Sequence, residues 1–377
     1  MTSQNRLDRR LSGKHVVWFE GTNQWVAFEK PAYKVFKWRE KGKSKKKIRS
    51  RIEKKYGLSA AEAKRFINEV AEWVDQLTQP YDQKDSSPKY FDCIGEPRIR
   101  NYKIKKRSIR VSFLHPKLES YFHPPIAHLE DSADIDNVEA GIKLCASKEG
   151  FFLIQNDVEP IYYNTIAELK HGFITCLMQI VHRVNPDKWL TWIHGSAVEK
   201  EGKAAIFTSP SGSGKSTIAA VLQSRSFRTL ADDMVFLEHN SLKIYPVPTA
   251  LSIKKGALKT VADMLNTPDI QKKYLHQIGK RRMAFIPPLH ETNEPQKPVQ
   301  AKYLIFIRYE KETELSIREL SDFEAFRRFH QNAWMKGTAE AARDFFDWFT
   351  DLEYYELIYS DTNKAMTRVE TLFRENP

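Results

Sequence analysis

The N-terminal residues switch from short apolar runs to helical spacing. Val16-Val17-Trp18-Phe19 and Gln24-Trp25-Val26-Ala27-Phe28 are rich in β-branched and aromatic side chains. They predict two strands joined by a hairpin-type turn at Glu20-Gly21-Thr22-Asn23. Residues 32–38 and 47–56 predict short helices, the second stopped by Gly57. Ser59-Ala60-Ala61-Glu62 forms a capping box. It opens a helix that places Phe66, Val70, Trp73, Val74 and Leu77 on one face. A polar stretch with Pro80 and Pro88 follows and predicts a linker over residues 80–90.

Beyond the linker the period changes again. Residues 91–163 alternate, as in 109–113 and 150–154, and predict several strands. Residues 167–184 predict a helix with Leu169, Phe173, Cys176, Leu177 and Ile180 on one face. Apolar runs at 204–207, 227–231, 234–237 and 302–308 predict buried strands, and 216–223 predicts a helix. Residues 323–373 read as mostly helical, with Phe345, Phe346, Trp348 and Phe349 as a packing cluster. The expected division is a module over 1–79, a linker over 80–90, a strand-rich part over 91–165 and a catalytic region over 166–377. Residues 91–165 either complete the catalytic fold or form a third domain.

The chemistry starts between a strand and a helix. Ser209-Pro210-Ser211-Gly212-Ser213-Gly214-Lys215-Ser216-Thr217 matches a phosphate-binding loop, except that Ser209 stands where the first Gly is usual. Glycines let the backbone curl around a polyphosphate at the positive end of a helix. Lys215 would reach the β- and γ-phosphates and Ser216 a Mg²⁺ ion. Asp232 and Asp233 end the strand that follows, where a carboxylate can ligand metal or take a proton from a hydroxyl. His194-Gly195 lies shortly upstream.

His194-Gly195, the loop from Ser209 to Ser216, and Ala231-Asp232-Asp233 together resemble the HPr kinase/phosphorylase family in order and spacing. The resemblance implies an α/β P-loop kinase core of the HPr-kinase/PEP-carboxykinase type, using ATP and Mg²⁺. It implies that Lys215 binds the transferred phosphate and Ser216 the metal. Asp233 would be the base toward an acceptor hydroxyl, with His194 near the moving phosphoryl and Asp232 a metal or water ligand. In the cluster Lys280-Arg281-Arg282, Arg281 would meet transition-state charge as a family Arg does; a solvated basic loop is the alternative. The family's downstream metal-binding Glu is not found. Thr217 replaces the acidic residue of the HPr kinases proper, which argues against the reverse, phosphorylase-type reaction. The HPr kinases proper form rings, so a homo-oligomer is an open expectation.

The hairpin and three helices before the linker resemble a PqqD-type domain, a small α+β winged-helix fold that binds leader peptides of ribosomally made natural products. That implies a peptide acceptor, a Ser or Thr of a precursor peptide. A kinase of a free hydroxy amino acid and a nucleotide-gated nucleic-acid-binding regulator are the alternatives.

Charge bears on the partner. Between Lys37 and Lys55 stand eleven basic and two acidic residues, most of the chain's formal net charge of +12. Such a run suits an acidic peptide, nucleic-acid phosphates, or nothing beyond solvent. Three scattered cysteines, Cys93, Cys145 and Cys176, without metal-ligand spacing predict a reducing compartment and no disulfide framework. The N-terminus is polar, without a secretory signal, and no apolar run reaches a membrane-spanning length. The expectation is a cytoplasmic protein without a membrane partner.

Overall fold

A computed structural model of the chain describes residues 6–78, 92, 95–131, 138–270, 274–278, 281–289 and 297–375. It is a mixed α/β structure in two compact units. One comprises Met1–Lys84 with Leu320–Asp351; the other comprises Asp85–Glu319 with Leu352–Pro377.

The first unit opens with β1 (Arg6–Leu11), β2 (Lys14–Phe19) and β3 (Gln24–Phe28), an antiparallel sheet in that order. Then come α1 (Lys30–Glu40), α2 (Lys45–Tyr56) and α3 (Ala60–Leu77). The Ser59–Glu62 capping box is present, and α2 ends at Gly57 in the left-handed conformation. Val17, Phe19, Val26 and Phe28 pack with Val35, Phe36, Ile48, Ile52, Ile67, Val70 and Val74 on one side of the sheet. Trp73, expected on the buried face of α3, is 39% exposed, although its ring lies 5.3 Å from that of Phe28.

The second unit holds β4 (Arg98–Ile104), β5 (Arg107–Phe113), α4 (Pro116–Phe122), β6 (Ala140–Ala146), β7 (Phe151–Gln155) and β8 (Ile161–Tyr163). Its strands form one five-stranded sheet, β4-β5-β6-β7-β8. There follow α5 (Ile166–His182), β9 (Trp189–Ile193), β10 (Ser196–Lys200), β11 (Lys203–Thr208), α6 (Lys215–Leu222), β12 (Arg228–Ala231), β13 (Val235–Glu238) and β14 (Lys243–Tyr245). Next are β15 (Leu251–Lys254), α7 (Leu258–Met264), β16 (Leu275–Ile278), β17 (Arg281–Ile286), β18 (Val299–Tyr309) and β19 (Ser316–Glu319). The chain then supplies α8 (Asp322–Phe329), β20 (Ala333–Met335) and α9 (Ala339–Thr350) to the first unit, and returns with β21 (Glu353–Tyr359) and α10 (Thr362–Glu375).

The main sheet runs β12-β10-β11-β18-β14-β13-β9, with β21 beside β18 and β19 beside β21. β11, β18 and β21 are parallel neighbours, so their C-terminal ends open on the same side. α6 packs there against Leu251, Ile253, Leu258, Ala284 and Ile286, which belong to β15, α7 and β17, and against Met366, Val369 and Phe373 of α10. Residues 91–165 share the compact unit of the loop rather than forming a third one.

Three expectations change. Residues 320–351 belong with the N-terminal unit, because Trp25 on β3 meets the rings of Phe326, Phe345 and Phe346 at 5.4, 6.3 and 5.7 Å. Residues 353–359, inside the stretch expected to be mostly helical, form β21 in the main sheet. Cys145 is disulfide-bonded, while Cys176 is a buried free thiol. The cysteines therefore give no argument for a reducing compartment. Among the described residues no helix is long and apolar enough to cross a membrane. The expected linker lies wholly outside the described residues.

Candidate active site

β11 is almost entirely buried and delivers the chain to a turn over residues 209–214 before α6 begins at Lys215. Gly212 and Gly214 hold φ of +93° and +104°, where a side chain is strained. At Gly214 a Cβ would also lie 2.7 Å from the Tyr359 hydroxyl of β21. Ser209 keeps a negative φ, so the turn needs no glycine there. The Tyr309 amide at the end of β18 donates to Ser213 O at 3.0 Å and ties the loop to the sheet. Lys215 is buried, and its ammonium donates to Ser209 O at 2.6 Å and Pro210 O at 3.1 Å. Burial lowers its pKa; Asp232 and Asp233 oppose that, and Lys254 adds to it.

Sheet register explains why distant residues meet the loop. β13 pairs with β9 through Val235 and Ile193, and β12 pairs with β10 through Ala231 and Ala197. The bend holding Asp232 and Asp233 therefore faces the bend holding His194 and Gly195. Gly195 is required by proximity: a Cβ there would lie 2.6 Å from Phe207 O.

The two carboxylates differ. Asp232 is buried and accepts hydrogen bonds from three hydroxyls and an amide. Ser196 and Ser216 donate to its Oδ1 at 2.6 and 2.7 Å, and the Ser252 amide and hydroxyl donate to its Oδ2 at 2.8 and 2.9 Å. Asp233 sits at φ +69°, a strained backbone of the kind found at working sites. Its carboxylate is paired with Lys170 from the first turns of α5, and His194 Nδ1 lies 3.2 Å from its Oδ1. Burial alone would raise the Asp233 pKa. The His194 hydrogen bond and the Lys170 ammonium outweigh that and hold it well below the usual carboxylate range.

Lys254 and Ser252 share one face of β15, while Leu251 and Ile253 point into the core. Lys254 Nζ donates to Ser211 Oγ at 3.2 Å. Lys170, His194, Lys215, Ser216, Asp232, Asp233, Ser252 and Lys254 border one cavity of about 770 Å³. Part of its wall is apolar, including Phe122, Ile166, Ile278, Met283 and Phe285.

Of the residues expected from sequence, His194, Ser211, Gly212, Gly214, Lys215, Ser216, Thr217, Asp232 and Asp233 line this cavity together. Ser209, Pro210 and Ser213 shape the loop without lining it. Arg281 opens β17, but its side chain and Lys280 lie outside the described residues. Lys170, Ser196 and Tyr359 escape sequence reasoning, since they arrive through register and helix placement, and Ser252 and Lys254 receive no role from it.

Ser216 Oγ and Asp232 Oδ1, 2.7 Å apart, are hard oxygen donors that fit Mg²⁺, an ion that keeps waters and phosphate oxygens for its remaining positions. Among the described residues there is no cluster of three or more His, Cys, Asp or Glu arranged to hold a metal ion. No family model and no curated protein matches the chain.

Proposed function

We propose that the chain is a kinase of the HPr-kinase type, with an α/β P-loop core, moving the γ-phosphoryl of ATP onto a hydroxyl with Mg²⁺. The observation that supports this best is the convergence of Lys215 and Ser216 of the loop with Asp232, Asp233 and His194 on one cavity. The loop and Lys215 would hold the polyphosphate, and Ser216 and Asp232 the metal. Bound Mg²⁺ supplies charge neutralisation on the phosphates.

Asp233 would take the acceptor's proton as the new O–P bond forms and the bond to the ADP oxygen breaks. Its low pKa makes it a weak base, ionised at neutral pH. That suits a loose transition state in which positioning and charge carry the rate and the proton leaves late. His194 and Lys170 fix the carboxylate from two sides.

A Ser or Thr of a precursor peptide is the acceptor we propose, recruited by a PqqD-like winged-helix module within the N-terminal unit. The basic α1–α2 surface suits an acidic peptide, and β3 pairs only with β2 among the described strands, leaving a ladder edge that an extended segment can join.

Intact-mass analysis of an acidic, Ser-containing peptide incubated with the chain, ATP and Mg²⁺ tests this. The expected result is a gain of one phosphate. It is expected to disappear in Asp233→Asn while ATP still binds, and to fall by about 10²–10³-fold in Lys215→Ala, on the scale of losing one preorganised donor. Equal phosphorylation by Asp233→Asn removes Asp233 as base. Phosphate gained by free serine but not by the peptide moves the reading to a small-molecule kinase.

A further inference from the structure

Lys170, Lys215, Lys254 and Lys311 border the cavity, and their ammonium groups are committed differently. Lys170 is spent on Asp233, and Lys215 is turned back onto the carbonyls of Ser209 and Pro210. Lys311 is exposed at the rim. Lys254 has no carboxylate partner among the described residues and bonds only a neutral hydroxyl, that of Ser211. It also stands over the crest of the loop, since a methyl group added at Gly212 would meet its Nζ at 3.8 Å.

The strand that carries Lys254 is fixed at this spot. β15 is paired along its length with β17, from Leu251 with Ile286 to Lys254 with Met283. Two residues before Lys254, Ser252 is held by two hydrogen bonds to Asp232. The cation is thus positioned from the same face that grips the proposed metal-binding carboxylate.

We propose that Lys254 contacts the terminal phosphoryl of the nucleotide and neutralises it from the side opposite the loop backbone. This inference rests on the nucleotide reading above. It moves to β15 the role that the sequence suggested for Arg281. The geometry supplies two walls for one anion: the loop with Lys215 beneath, and Lys254 above the exposed Ser211 and Gly212. Both loop residues that Lys254 approaches are small, which leaves room for phosphate oxygens.

The test compares ATP with ADP by calorimetry on the full chain with Mg²⁺. Lys254 is exposed, so its replacement leaves the core intact. In Lys254→Ala, ATP affinity is expected to fall about tenfold or more, the scale of a lost hydrogen bond to a charged group, while ADP affinity stays unchanged. Lys254→Arg keeps the charge and is expected to recover most of the loss. Equal weakening of ATP and ADP, or no weakening of ATP, overturns the assignment of Lys254 while leaving the nucleotide reading in place. Failure of the unaltered protein to bind either nucleotide overturns that reading, and this inference with it.

Discussion

The two units use positive charge in opposite ways. In the first, the basic run sits on α1 and α2, and Lys45, Lys46 and Lys47 are exposed. Such charges are screened within about 10 Å at 0.1 M salt, and pairs such as Arg49 with Glu53 are worth little. In the second, Lys170, Lys215 and Lys254 border one cavity, each aimed at a named oxygen. The first unit carries the denser basic run, and the second holds the better-defined chemistry. Net charge names a class of partner at most, whereas an ammonium fixed by sheet register names the atom it is there to meet.

The largest expected effect probes whether the units keep separate cores. Phe326 is fully buried and meets the rings of Trp25, Phe346 and Phe349 at 5.4, 6.3 and 5.2 Å. Phe326→Ala is expected to destabilise the first unit by about 3–5 kcal/mol. Thermal unfolding should show an earlier transition, while calorimetry shows ATP binding unchanged at temperatures below it. Loss of ATP binding while the first unit is still folded would show that the cavity depends on the other core, and the contrast between the units would fail.

How much the sequence discloses follows from how local each signal is. The loop, the Asp pair and the His-Gly turn are short motifs whose residue types carry their own chemistry. Lys170 and Lys254 are not, because they reach Asp233 and Ser211 across 63 and 43 residues of chain. β1 is hidden because Arg6, Asp8, Arg9 and Arg10 mask the alternation of Leu7 and Leu11. The Val16–Phe19 run in β2 does carry a clue to the later helices: a strand apolar at consecutive positions is covered on both faces. Val17 and Phe19 pack with the apolar residues of α1, α2 and α3, while Trp25 on the neighbouring strand faces α8 and α9. Residues 353–359 give a mixed pattern, Glu-Tyr-Tyr-Glu-Leu-Ile-Tyr, so the helices around them dominate a reading by period.

A smaller effect sharpens the account of Asp233. Its folded pKa lies below the unfolded value of about 3.9, so ionised Asp233 favours the folded state above that pH. The contribution fades as pH falls through the folded pKa. Asp233→Asn suits the test because Asn tolerates the positive φ, which leaves charge as the main change. The gap in Tm between the two proteins is expected to be widest at neutral pH and to close below about pH 4. The side chain is 38% exposed, so the gap should be modest. In Lys170→Met the Asp233 pKa should rise, so the gap, measured against the Lys170→Met, Asp233→Asn double variant, should be smaller at neutral pH and should finish closing at a higher pH. A gap independent of pH would mean that the Lys170 and His194 contacts do not set the charge of this carboxylate.

The smallest expected effect lies on the exposed helix. Replacing Lys45, Lys46 and Lys47 together by Gln removes three charges from outside the core, since α2 buries only Ile48 and Ile52. Stability is expected to change by about 1 kcal/mol or less, toward greater stability, because the three lysines fill the first turn of α2, where positive charge opposes the helix dipole. ATP binding should be untouched. Affinity for an acidic peptide should fall, and it should fall less steeply with added salt than in the unaltered protein, because fewer screened contacts remain. If the variant instead loses salt-sensitive retardation of duplex DNA and keeps its peptide affinity, the helix reads nucleic acid. If it loses ATP binding, the surface charge acts on the cavity, and placement would no longer separate the two units.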